Sequence, residues 1–286
     1  VAGIIFVTVI LTMLVVGMVS VSIGSDSFYV GLAMSAVMYA ALFAVYWVFR
    51  KYAKAEKHYT IQRPRIDESF KILLLGLICI VSFLLLQNVA LEFFVWMGYA
   101  EPDARFDLNS PHRFLLVIVT TGILPSVVEE LLFRGLILHA LLPFGKWKAV
   151  LISSALFSLF HLSPAQTVYQ FIFGIVLALV YLRTKNMLIP MLLHFVNNVA
   201  IVTVLFLGGT EEYFVFDAFT ITTAIVLGIV GTFVILNLVR SIGRQYRIAN
   251  PKQFSSQEYI TLGVGVLVAL VIWISAFIGA GGGNGY

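Results

Sequence analysis

Charge is scarce in this 286-residue chain. Asp, Glu, Lys and Arg make up 11% of it, where a soluble domain carries about 25%. Hydrophobic residues make up 60%, against roughly 45–50% in soluble proteins. So little polar surface cannot cover a water-soluble fold, and the chain reads as an integral membrane protein. Cysteine is nearly absent too. Cys79 stands alone, which excludes an internal disulfide and a cysteine-built zinc cage. Inside its apolar run it reads as a small buried hydrophobe. Internal repeats of the transporter kind are missing. The basic excess, 18 Lys and Arg over 14 acids, is not interleaved with base-stacking aromatics, so nucleic acid is not an expected partner.

What the sequence does have is long apolar runs. A helix needs about 20 apolar residues to cross ~30 Å of hydrocarbon. Nine segments come up to that or near it: 1–23, 28–49, 70–98, 114–141, 149–163, 165–182, 187–207, 218–238 and 259–279. The expected fold is therefore all-α, a polytopic membrane helix bundle of about nine spans (eight to nine) around a buried polar active site. The fifth and sixth segments are short and meet at Ser163-Pro164, and the fifth has a turn to borrow from 145–148. Segment 1–23 is too long and apolar for a cleaved signal, while Gly279–Tyr286 reads as a flexible glycine-rich tail. Three regions follow: N-terminal helices with a basic loop (1–113), a core (114–207), and C-terminal helices with the tail (208–286).

Loop charge orients the chain. With the amino terminus inside, loops 50–68, 142–148, 183–186 and 239–258 hold fourteen Lys or Arg, while 24–27, 99–113 and 208–217 hold only Arg105 and Arg113 beside seven acids. That is a strong positive-inside bias, and it predicts a multi-pass cell-membrane protein with a cytoplasmic N-terminus and an external C-terminus. The six cations of 50–68 read first as a topology determinant. Anionic lipid headgroups are their natural neighbours.

Ionisable residues in hydrocarbon cost at least ~2.5–3.5 kcal/mol each on insertion scales, so each calls for a reason. The fourth segment carries Glu129-Glu130-Leu131-Leu132-Phe133-Arg134. Glu130 and Arg134, four apart with the acid first, suit a supporting ion pair. Glu129 is turned about 100° away from them. Partners from other helices are His161, four residues after Phe157, and His194, four residues before Asn198. At 1.5 Å per residue from the cytoplasmic helix ends, Glu129 and His161 lie about 18 Å deep, His194 about 11 Å and Asn198 about 17 Å. Matching depth lifts these residues above scattered polar positions. Asn197, Gln87, Asn88 and Gln170 read as interhelical hydrogen-bonding groups, and Glu92 beside Trp96 as a snorkelling acid. His58, His112 and His139 receive no role. Pro125 and Pro190, each four residues before a site residue, are expected to disturb their helices, with the hydroxyls of Thr120 and Thr121 able to serve a carbonyl freed by Pro125.

Three motifs, Glu129-Glu130 with Arg134 (EExxxR), Phe157 with His161 (FxxxH) and His194 with Asn198 (HxxxN), occur in order, each on its own apolar segment. Over about residues 115–205 the chain resembles the CAAX protease and bacteriocin-processing family, intramembrane endopeptidases that include the type II prenyl-protein proteases. The resemblance implies that Glu129 activates a water as general base while His161 helps to hold it. It implies His194 and Asn198 as oxyanion donors, and Glu130 with Arg134 as a supporting pair. The substrate it implies is a membrane-associated peptide or a lipidated protein. Glu129, His161 and His194 are also a His₂Glu set of the kind catalytic zinc uses, but the usual His-Glu-x-x-His signature is absent. A metal-independent glutamate mechanism is the favoured reading and zinc the alternative. Two non-proteolytic readings stand beside it: a membrane scaffold that regulates a sensor kinase or secretion component, and a transporter. Intact motifs weigh against the first, and the missing repeats against the second. Substrate identity and oligomeric state are not written in the sequence.

Overall fold

The computed structural model describes residues 1–24, 27–52, 60–61, 70–71, 74, 78, 90–99, 110–206, 218–242 and 251–281. Among the described residues the fold is helical, with no strand and one bridge, between Thr60 and Asn186. Eight long helices are labelled α1 (Ala2–Ile23), α2 (Phe28–Phe49), α3 (Pro111–Phe144), α4 (Lys146–Phe160), α5 (Thr167–Thr184), α6 (Leu188–Phe206), α7 (Ala218–Ile242) and α8 (Ser256–Gly281). They coincide with eight of the nine expected segments. The expected third, 70–98, lies largely outside the described residues, of which 90–96 are helical. Helices α1, α2, α3 and α8, and α5 with its leading turn, are long and apolar enough to cross a membrane. The 15-residue α4 rises only about 22 Å.

Several boundaries fall outside the expected ones, each for a local reason. Helix α3 begins at Pro111, where a proline in the first turn gives up no hydrogen bond. Helix α4 does take the turn from 145–148, starting right after Gly145, whose φ of 115° ends the preceding helix. At α8, Ser255 and Glu258 form a capping box: the Ser255 amide donates to Glu258 Oε2 (2.9 Å) and the Glu258 amide to Ser255 Oγ (3.3 Å). The helix then runs through Gly281, so Gly279–Gly281, expected in a flexible tail, are helical. Pro190 also departs from expectation. It lies in the first turn of α6, where a missing amide is tolerated, and the side chain of Asn186 serves the nearby Leu188 amide (3.2 Å).

Contacts between helix ends sort the bundle into two faces. At one, Thr60 exchanges backbone hydrogen bonds with Lys185 and Met187, and the Lys252 amide donates to Pro143. Phe254 stacks on Phe144 there. At the other, Tyr29 meets His112 (3.2 Å), Phe114 stacks on Phe206, and the Trp273 indole donates to Thr167 Oγ1 (2.7 Å). Helices α1 and α8 are parallel, since Gly3 faces Thr261 and Leu262 while Phe6 and Val7 face Gly265. Small residues let these backbones approach closely. A Cβ on Gly3 would lie 2.6 Å from the Leu262 backbone nitrogen, whereas one on Gly17 would meet nothing within 4 Å. Gly3→Ala is expected to destabilise the protein by about 1–3 kcal/mol through overpacking. Thermal unfolding in detergent checks this, with Gly17→Ala as the neutral control.

Candidate active site

Helix α3 positions the acids. Its Leu124–Glu130 stretch is α-helical, and wider π-type turns flank it at Ile118–Ile123 and Leu131–Leu138. Such turns are rare and cluster at functional sites. Pro125 has no amide to offer the Thr121 carbonyl four residues back. Asn198 Nδ2 on α6 donates to that carbonyl at 2.9 Å. The Thr120 hydroxyl, expected in this role, does not fill it, because its Oγ1 bonds the Leu116 and Val117 carbonyls instead. Gly122 makes the same crossing close, with Val199 and Phe195 beside it.

Glu129, Glu130, Arg134 and His194 are at most 2% exposed. Arg134 has three partners. Nη1 donates to Glu130 Oε1 (2.9 Å), Nη2 donates to the Gly174 carbonyl on α5 (3.1 Å), and the guanidinium lies 4.4 Å from the Phe157 ring centre. Phe157, the leading residue of its motif, is thus a platform for Arg134 that also meets both site histidines edge-on.

Hydrogen bonds fix the histidine tautomers. His161 Nδ1 contacts the Phe157 carbonyl at 2.8 Å, and a carbonyl only accepts, so Nδ1 carries hydrogen. His194 Nδ1 contacts Glu130 Oε1 at 3.0 Å, and the same logic applies. In the neutral rings each Nε2 then presents a lone pair, and each lies 3.9 Å from Glu129 Oε2. That oxygen is buried with no protein hydrogen-bond partner. Three acceptors therefore converge on one point.

The backbone at His161 is sharply turned. His161 caps α4, and the next residue, Leu162, has φ 52°, a left-handed conformation that is costly for a side chain of this kind. Strain of this sort persists where the surroundings over-determine the chain. Asn198 is placed one turn beyond His194. Its Oδ1 accepts from Asn197 (3.2 Å) and one of its two N–H groups serves Thr121, leaving the other N–H. Asn197 bonds across helices, accepting from the Tyr169 hydroxyl of α5.

One participant was not found from the motifs. Tyr39 of α2 donates its hydroxyl to Glu129 Oε1 at 2.9 Å. The signal available was a phenol in a long apolar helix, whose hydroxyl needs a partner there, about 15 Å from the C-terminal end of α2.

Breaking the Glu130–Arg134 pair at one end strands a buried charge, which typically costs about 3–5 kcal/mol. Arg134→Leu is accordingly expected to lower stability by that order. Adding Glu130→Leu should recover much of the loss, and urea or thermal unfolding in detergent reads both. Unaltered stability in Arg134→Leu would show that the ion pair carries no structural weight.

No solved structure matches this chain. A protein of Bacillus subtilis (strain 168) named "Putative membrane peptidase YdiL" is 28% identical over 120 residues, 41% of this chain and 49% of that protein. The chain thus spans about half the length of that relative. Residues 111–200 match the family described as type II CAAX prenyl endopeptidase Rce1-like. This stretch holds all three motifs, from α3 through His194 and Asn198, and the two findings support assigning it to the CAAX protease and bacteriocin-processing family.

Proposed function

We propose that the protein is an intramembrane endopeptidase that hydrolyses a peptide bond of a membrane-associated or lipidated substrate. The observation that carries this reading is Glu129 Oε2, buried without a partner and 3.9 Å from Nε2 of both His161 and His194. A gap of that size takes one bridging water. Such a water donates one hydrogen to Glu129 Oε2 and the other to His161 Nε2, which leaves an oxygen lone pair free for a carbonyl carbon. Glu129 takes the proton as the C–O bond forms, then passes it to the leaving amine as the C–N bond breaks. The oxyanion that develops needs donors. The remaining Asn198 N–H is one. His194 Nε2 becomes another when it carries a proton.

Zinc is the alternative carried by residue type alone, since among the described residues no group of three or more His, Cys, Asp or Glu is placed to hold a metal ion. Glu129, His161 and His194 supply one oxygen and two nitrogens, and each imidazole donates its Nδ1–H to a carboxylate or carbonyl, the usual outer support of metal-bound histidine. Zinc there would be held by these three residues and would supply a Lewis acid and a more acidic bound water. The cations at the face holding Lys146, Lys148, Arg183, Lys185 and Lys252, against Arg113 at the other, support a cytoplasmic N-terminus.

Cleavage of an internally quenched farnesylated peptide ending in a CAAX-type sequence, and of its unprenylated counterpart, tests the activity. Glu129→Gln is expected to lower kcat by about 10²–10⁴-fold, and His194→Ala by about 10²–10³-fold. Equal cleavage by wild type and Glu129→Gln rejects the proposal. Extensive chelation with metal analysis separates the two mechanisms: activity retained in metal-free protein ends the zinc reading, while activity lost and restored by zinc establishes it.

A further inference from the structure

We infer that Tyr39 is a positioning residue for Glu129, supplied from outside the stretch that carries the motifs. The inference rests on the endopeptidase reading and assigns a role within the same site. The two oxygens of Glu129 have different environments. Oε1 accepts the Tyr39 hydroxyl at 2.9 Å, and Oε2 is buried without a protein partner facing both imidazoles. The terminal torsion of a glutamate is broad and nearly two-fold, so the backbone of α3 alone does not choose which oxygen faces the histidines, nor the plane of the carboxylate. A fixed donor on one oxygen does both. Tyr39 is the residue that provides it, across the α2–α3 contact. Phe157 and Phe173 wall the His194 ring on its other sides and offer no hydrogen bond. The consequence is that residues 111–200 hold the reacting groups without the group that orients the base, and α2 completes the site.

Tyr39→Phe removes the hydroxyl and keeps the ring. In the full-length protein, assayed with the quenched farnesylated and unprenylated peptides, kcat is expected to fall by about 10- to 100-fold. KM should stay at its wild-type value, because the ring still packs and substrate contacts are untouched, and the protein should stay folded at the assay temperature, with an unfolding temperature lowered only as far as one lost donor to a buried carboxylate requires. A wild-type kcat in Tyr39→Phe overturns the role. So does a fall in activity that follows a rise in KM or loss of folded protein at the assay temperature, since that pattern belongs to packing. Glu129→Gln, run beside it, distinguishes the two levels of argument. If wild type is inert, or Glu129→Gln cleaves as fast as wild type, the endopeptidase reading fails. If Glu129→Gln is dead while Tyr39→Phe is fully active, only the positioning role fails.

Discussion

Two carboxylates and a guanidinium held out of water are the constraint around which this bundle is arranged. A stranded charge in low dielectric costs several kcal/mol, so each charged group draws a partner from a different helix. Arg134 of α3 is met by the Gly174 carbonyl of α5 and the Phe157 ring of α4. Glu130 is met by His194 of α6, and Glu129 by Tyr39 of α2. Satisfying three charges on one helix thus pulls four others into register around it. His194 is oriented as a by-product of that bookkeeping of charge, and His161 by the Phe157 carbonyl of its own helix.

Backbone irregularity is concentrated at the same place. The π-type turns of α3 lie on either side of the acids, and Leu162 takes a left-handed conformation directly after His161. Pro125 opens the helix one turn before Glu129, and Asn198 closes the resulting gap from α6. A regular helix would not leave a carbonyl for Asn198 to reach. The proline and the asparagine are therefore two halves of one junction, which couples the acid-bearing helix to the helix that carries His194.

Much of this was legible beforehand, and the failures have physical causes. Glu130 and Arg134 were paired from their four-residue spacing, because an α-helix fixes that geometry locally. His161 was brought to Glu129 from matching depth alone. His194 was placed about 7 Å shallower by rise counting, yet both imidazoles stand 3.9 Å from the same oxygen. Counting residues from helix ends assumes that all ends share a height, which tertiary packing does not respect. Pro190 was expected to disturb α6. The helix starts only two residues before it, so the proline falls where no amide is needed.

Composition and local spacing were sufficient for the class of fold and the helical segments, because apolar length and helical periodicity are properties of adjacent residues. The tautomers of His161 and His194, the commitment of Asn198 to Thr121 and the bond from Tyr39 came only with the folded bundle. Each depends on which atom of a distant helix lies within 3 Å or so of another, and no pattern along one chain segment encodes that distance.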